Sequence, residues 1–459
     1  MSQTKKMTVG NPTKLLLQFA LPVFIGNIFQ QLYNMVDSII VGKFVGPDAL
    51  AAVGVTGSTT FFIFSLVLGL TTGISVMIAQ FFGAQDEESL RLSFSTSIYV
   101  VTLSSIILAA LGFLVTRPVL ILLQTPANIL EDAVLYMHII MVGSIALVLY
   151  YWIASVLRAL GDSVTPLIFL IISSILNVLL DLQFVIVFHL GVAGVGYATI
   201  LAQFISGVAC LIYAMIRMPI LRLRIRDVKF DKKMCMNVVR IGIPSGIQGS
   251  FIAISVMVMQ AVINSYGSIV VAGFIAATKI ESIIFQTGNS IGMANATYTG
   301  QNMGAGDIDR VKAGYRSMVF LNIISYLVIL PFLWFFAGDL MKLFVNHSDE
   351  AKQVIDVGTR YLHIVTPFFI PVGLLMGFQN LLKSAGYVSA TMILGLSEVF
   401  SRVIFAFSLS YFFGFSGAFA ATPTAWIIGC ALGFYYYYSE KWVSKGIVQK
   451  SKSDRNVIK

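Results

Sequence analysis

Charge is scarce in this chain: Asp, Glu, Lys and Arg make up 11% of its 459 residues, against roughly 25% in soluble domains. A water-soluble fold of this length is excluded. Cysteine is nearly absent too. The three present, Cys210, Cys235 and Cys430, are far apart and in apolar surroundings, which argues against a disulfide framework or thiolate metal cluster. The signatures of several enzyme classes are missing: no G-x-x-x-x-G-K-[ST] phosphate loop and no H-E-x-x-H zinc helix occurs. The one G-x-S-x-G match, Gly288 to Gly292, lies in an apolar helical context without the strand that a nucleophile elbow requires.

What fills the chain is apolar residue: 57% is hydrophobic and mean hydropathy is +0.87. Spanning a bilayer as a helix takes about 20 such residues. Twelve stretches qualify, at residues 15–41, 49–81, 92–115, 134–157, 164–188, 192–216, 238–263, 269–299, 311–336, 354–382, 388–411 and 418–438. The expected fold is an all-α polytopic membrane protein with twelve transmembrane helices in two pseudo-symmetric six-helix lobes. Residues 1–216 form the N-lobe, 217–236 a basic cytoplasmic connector, 237–440 the C-lobe and 441–459 a cytoplasmic tail. Lys5, Lys6 and Lys14 precede the first apolar run, which continues to Val41 without a small-residue cleavage pattern and so reads as a retained helix.

Basic residues sort by side. With both termini on one side, that side receives 23 of the 30 Lys and Arg, the opposite loops five, and two lie within spans. Cytoplasmic loops collect Lys and Arg, so both termini are expected in the cytoplasm of a cell-membrane protein. The net charge of +9 follows from this bias without invoking nucleic acid; the connector reads first as a solvated loop obeying the orientation rule, with contact to anionic membrane lipids as its functional alternative.

The two halves repeat. Gln80-x-x-Gly83-Ala84-x-Asp86 recurs as Gln301-x-x-Gly304-Ala305-x-Asp307, and Tyr136-x-His138-Ile139 as Tyr361-x-His363-Ile364. Pro22 pairs with Pro244, and Gly191-x-x-Gly194 with Gly414-x-x-Gly417, all at offsets of about 221 to 225. Six is an even number of crossings, so the repeats are parallel, with a cavity expected between them. Small-residue pairs at Gly69/Gly73, Gly242/Gly246, Gly373/Gly377 and Gly429/Gly433 suit close helix packing, and His138 and His363 are assigned to packing rather than to a proton relay.

Ionisable groups within spans cost about 2.5 to 3.5 kcal/mol each on insertion scales, so their positions are informative. Glu398 and Arg402, four apart, are expected to pair, and Lys279 and Glu281 to find structural partners elsewhere. Asp37 and Asp181 have no basic neighbour in their own helices. Asp37 ends a polar stripe of Asn27, Gln30 and Asn34; Asn177 precedes Asp181 by one helical turn; Thr199, Gln203 and Ser206 form a third stripe. Together they describe a polar chamber with two carboxylates in one lobe, able to exchange H⁺ because desolvation and a like charge both favour the neutral acid. Na⁺, which takes oxygen ligands, is the alternative occupant. The C-lobe counterparts are Met259 or a neighbour for Asp37, Arg402 for Asn177 and Ala406 for Asp181, so the acids are not duplicated. Tyr33, Asn34, Gln30 and Gln203 are candidates for the adjoining substrate cavity, and Tyr33 and Phe64 for attracting cations through their rings.

These residues resemble a known family. Gly10-Asn11-Pro12 followed by Phe19-Ala20-Leu21-Pro22, the stretch Tyr33-Asn34-Met35-Val36-Asp37 with Gly42 to Gly54, and Asn177-x-x-x-Asp181 look like the multidrug and toxic compound extrusion (MATE) transporters. The resemblance implies two six-helix lobes, export of organic cations in exchange for H⁺ or Na⁺, and a cation site of Asp37, Asn177, Asp181 and Thr199. The seventh and tenth helices carry only Asp356 at an extreme end, closer to DinF-like members with a cation site in the N-lobe alone. The expected protein is a monomeric secondary antiporter with no cofactor beyond its coupling ion. A flippase for a lipid-linked saccharide is the alternative, ahead of a membrane receptor or an enzyme.

Overall fold

The computed structural model describes residues 6–223, 227–344 and 350–448. Lys5, residues 224–226 of the connector and the tail beyond 448 lie outside the described residues. The chain is helical almost throughout. Among the described residues ten helices are long and apolar enough to cross a membrane, and the bent pair Ala127–Val142 and Ser144–Ala159, turning by 50°, adds an eleventh. The helix Val388–Tyr438 supplies two crossings, because Gly414 (φ 61°, ψ −147°) breaks it at the repeat position equivalent to Gly191 (φ 56°). Twelve spans result, as the hydropathy pattern implied. The spans are numbered below in chain order; the first is Pro12–Ile40, the fifth Val164–Leu182, the seventh Lys232–Asn264 and the eighth Ser268–Ala305. The repeated Asp86 and Asp307 act alike as N-caps, their carboxylates accepting from the backbone N–H of Ser89 and Arg310 at 3.0 Å.

Each lobe has its own apolar core, with an exchange between them. Leu16, Phe19, Ala20 and Val23 of the first span pack into the C-lobe core, while Met234 and Val238 of the seventh pack into the N-lobe core. The first and seventh spans therefore cross from one lobe to the other. Pro22 and Pro244 lie within them, each removing one backbone hydrogen bond, so bending there is less costly than elsewhere in the helix.

Small residues close one end of the interface between lobes. A Cβ on Gly69 would lie 2.3 Å from the carbonyl oxygen of Gly242, and one on Gly246 2.6 Å from the Cα of Leu66. Backbones in such contact leave room only for hydrogen. The repeated motifs meet each other in the same way: a Cβ on Gly83 would fall 1.8 Å from the oxygen of Gln301, and one on Gly304 1.8 Å from that of Gln80. Hydrogen bonds between the lobes, among the described residues, reach outward only as far as Asn27 with Ser290 (3.2 Å) and Ser65 with Ser250 (2.7 Å). None joins residues 28–64 to 251–289. Among the described residues the lobes are bonded and closely packed at the end bearing the chain's described termini, and no hydrogen bond joins them at the other.

Candidate functional site

The N-lobe chamber lies in the unsealed half. The first, fifth and sixth spans build it, the sixth running Gly191–Arg217. On the fifth span the apolar residues around the chamber face outward, with Ile172, Ile175 and Leu179 exposed, while Ser173, Asn177 and Asp181 are buried on the opposite face. Helical period alone thus turns the polar stripe inward. Asp181 is fully buried, Asn177 1% exposed, and Asp37 half-buried.

Asp37 and Asp181 come together, close enough for their charges to interact, with Tyr33 and Tyr136 beside both. Asn177 Nδ2 donates to Thr199 Oγ1 at 3.4 Å. The chamber is rich in acceptors: Asp37 Oδ1, both carboxylate oxygens of Asp181, Asn177 Oδ1 and Gln203 Oε1 are buried without a hydrogen-bond donor, the two carboxyls facing each other. Neither acid joins an ion pair among the described residues. Buried acceptors left unpaired are costly, so these oxygens call for a hydrogen-bond donor or a cation among them. Its donors are oxygens only, from carboxylate, amide and hydroxyl, without imidazole or thiolate. Such a set suits a proton or a hard cation such as Na⁺ rather than a transition metal.

Backbone geometry marks the same place. Wide π-helical turns follow both acids, at Val41–Val45 after Asp37 and Gln183–Val187 after Asp181, and these are the only two among the described residues. Such turns recur at functional sites because they re-aim side chains and free carbonyls from the regular ladder. Nothing in the residue pattern signalled them.

Tyr136 is a member that sequence reasoning passed over, although its repeat with Tyr361 was visible. Gln30 and Asn34 extend the stripe toward the open cleft, with Gln30 Nε2 donating to Asn34 Oδ1 at 3.5 Å. Gln203, expected at the cleft, is buried within the lobe at 6% exposure. Phe64 is a correction: it is 7% exposed and sits in the N-lobe core, because its helix turns that position toward its own lobe. Ser290 of the G-x-S-x-G match is helical and donates to Gln286 O at 2.6 Å. His138 stacks on Phe113 at 4.3 Å and His363 on Trp334 at 4.6 Å, and each bonds the backbone carbonyl of the ring it covers, at 3.1 and 3.0 Å.

The C-lobe charges fall elsewhere. Arg402 donates to Glu398 Oε1 at 2.9 Å and to Ser255 Oγ at 2.5 Å, and Tyr361 donates to Glu281 Oε2 at 2.7 Å. Lys279, expected to find a partner, is exposed and joins no ion pair among the described residues, because its face of the eighth span is turned away from the buried charges.

A family model described as MatE matches residues 22–182 and 244–408. The chain is 31% identical over 437 residues to the probable multidrug resistance protein YpnP of Bacillus subtilis (strain 168), covering 95% of this chain and 97% of that one. It is 26% identical over 456 residues to the probable multidrug resistance protein YoeA of the same strain, covering 97% of each. A solved structure described as the outward-facing conformation of a multidrug resistance MATE family transporter of the MOP superfamily superposes with a TM-score of 0.88. Its sequence is 21% identical, and the match covers 96% of this chain and 98% of that one.

Proposed function

Because this chain belongs to the MatE family, whose members are transporters and not enzymes, we propose that it exports small, mostly cationic and lipophilic organic compounds in exchange for H⁺ or Na⁺ by alternating access. The observation that carries the coupling is the buried Asp37/Asp181 pair with its unpartnered oxygens. A charge site that is costly when empty and satisfied when occupied is what makes ion binding do conformational work.

The basic bias of the loops supports placing the sealed end in the cytoplasm, which makes this conformer outward-open. In that state the chamber lies on the outer side of the seal, with half-buried Asp37 at its edge. Cation binding there would neutralise the acids and favour release of cargo. Closure of the outer halves and separation of the inner ones would return the ion to the cytoplasm and admit the next cargo molecule. Coupling requires only that ion and cargo favour opposite states. Where one more positive charge enters than leaves per cycle, that net charge moved through 100 mV supplies about 2.3 kcal/mol, enough for roughly a fifty-fold cargo gradient at about 1.4 kcal/mol per tenfold.

Proteoliposomes carrying the full-length protein, with ΔpH or ΔNa⁺ imposed separately, test the reading. A cationic dye should be driven against its gradient by one of the two ions. Equal dye movement with and without either gradient would refute ion-coupled export.

A further inference from the structure

The C-lobe holds a cavity of about 460 Å³ between the seventh and eighth spans, the tenth (Ala351–Ser384) and the eleventh and twelfth, the two parts of Val388–Tyr438 on either side of Gly414. It is the repeat counterpart of the N-lobe chamber. Tyr361 stands where Tyr136 stands, Thr422 where Thr199 does, and Arg402 where Asn177 does, at the offsets that relate the halves. The chemistry is nonetheless different.

Three buried charges line it. Glu281, Glu398 and Arg402 are 8%, 8% and 7% exposed. Arg402 is committed to Glu398 and Ser255, and its Nε is buried without a partner. When both carboxyls are ionised against the one guanidinium, already paired with Glu398, the negative charge in surplus is that of Glu281. Around it stand rings: Phe274 meets Tyr361 edge-on at 5.1 Å, and Phe285 meets Trp426 at 5.5 Å.

A bare small cation is poorly served here. The guanidinium occupies the position of the N-lobe amide ligand and repels it, and Glu281 shares its oxygen with a phenol. A large cation with delocalised or shielded charge is served well, since it loses little hydration on entry, gains the ring faces and cancels the surplus charge. The volume falls within the usual range for small-molecule sites. We infer that this C-lobe pocket is the cargo subsite, taking a lipophilic aromatic or quaternary monocation with Glu281 as its counter-charge, so that ion and cargo occupy equivalent chambers of opposite lobes. This inference rests on the exporter reading.

Equilibrium binding to the purified full-length protein in nanodiscs, with no gradient present, tests it. Tetraphenylphosphonium is the probe and triphenylphosphine oxide the neutral comparison. Glu281→Gln should weaken tetraphenylphosphonium binding at least tenfold, and Trp426→Ala severalfold. Glu131→Gln, which removes an exposed acid of the N-lobe outside the pocket, should stay within about twofold. Should Glu281→Gln not yield monodisperse protein, Trp426→Ala with the neutral comparison decides. Wild-type affinity in both Glu281→Gln and Trp426→Ala, or equal affinity for the neutral compound, would overturn the proposal. A wild-type protein that binds the probe as described but transports nothing under either gradient would refute the exporter reading instead.

Discussion

Gln80 and Gln301 make the same pair of hydrogen bonds in opposite directions across the molecule. Gln80 Nε2 donates to Ser384 O at 2.8 Å, and Gln301 Nε2 donates to Ala159 O at 2.9 Å. Each side-chain oxygen accepts from a segment flanking the lobes, Gln80 from Ile447 N at 2.6 Å and Gln301 from Met7 N at 2.8 Å. Both residues are fully buried. The motif that repeats most clearly in the sequence is thus the motif that fastens its two copies together.

Removing that fastening should favour the conformer open at the sealed end. Leaving buried partners unsatisfied costs about 1 to 3 kcal/mol per group, so Gln80→Ala or Gln301→Ala should shift the balance between conformers roughly 5- to 150-fold. Spin labels at exposed Glu88 and Asp309, one on each lobe at this end, should report a longer distance. An unchanged distance distribution in both variants would deny them this role.

Steric contact makes a second test. Gly83→Ala places a methyl 1.8 Å from Gln301 O, and Gly69→Ala one 2.3 Å from Gly242 O. The backbones cannot yield without parting, so either variant should lose transport at normal expression, with the same label pair moving apart. Gly54→Ala, at a glycine with nothing within 4 Å, should transport as the parent does.

The histidines should prove dispensable for coupling. Because His138 and His363 spend a ring nitrogen on a backbone carbonyl and a face on an aromatic neighbour, His138→Gln or His363→Gln should cost about 1 kcal/mol of stability. The pH profile of transport should keep its midpoint. A midpoint moved by a unit or more would restore them to the proton path.

The architecture was legible because it depends on quantities a sequence displays directly. Hydropathy gave the spans, and block repeats gave the lobes. Asp37 and Asp181 were found because acids are rare in apolar helices and a helical stripe shows which face they share. Pairings between helices were harder to see. The Tyr361–Glu281 bond joins residues 80 apart, and no local spacing encodes it. Phe64 illustrates the limit: with 35 Phe in the chain, residue type alone cannot tell a cavity wall from a core. The π-helical turns left no trace either, since they arise from register rather than composition.

Occupancy of the N-lobe acids by the coupling ion can be measured without transport. Adding tetraphenylphosphonium to purified protein in weakly buffered, Na⁺-free medium should release protons, or in a ²²Na⁺ binding assay displace Na⁺. Asp37→Asn and Asp181→Asn should each abolish that release while remaining monodisperse. Ion release of wild-type size from the Asp37→Asn/Asp181→Asn double variant would contradict the account.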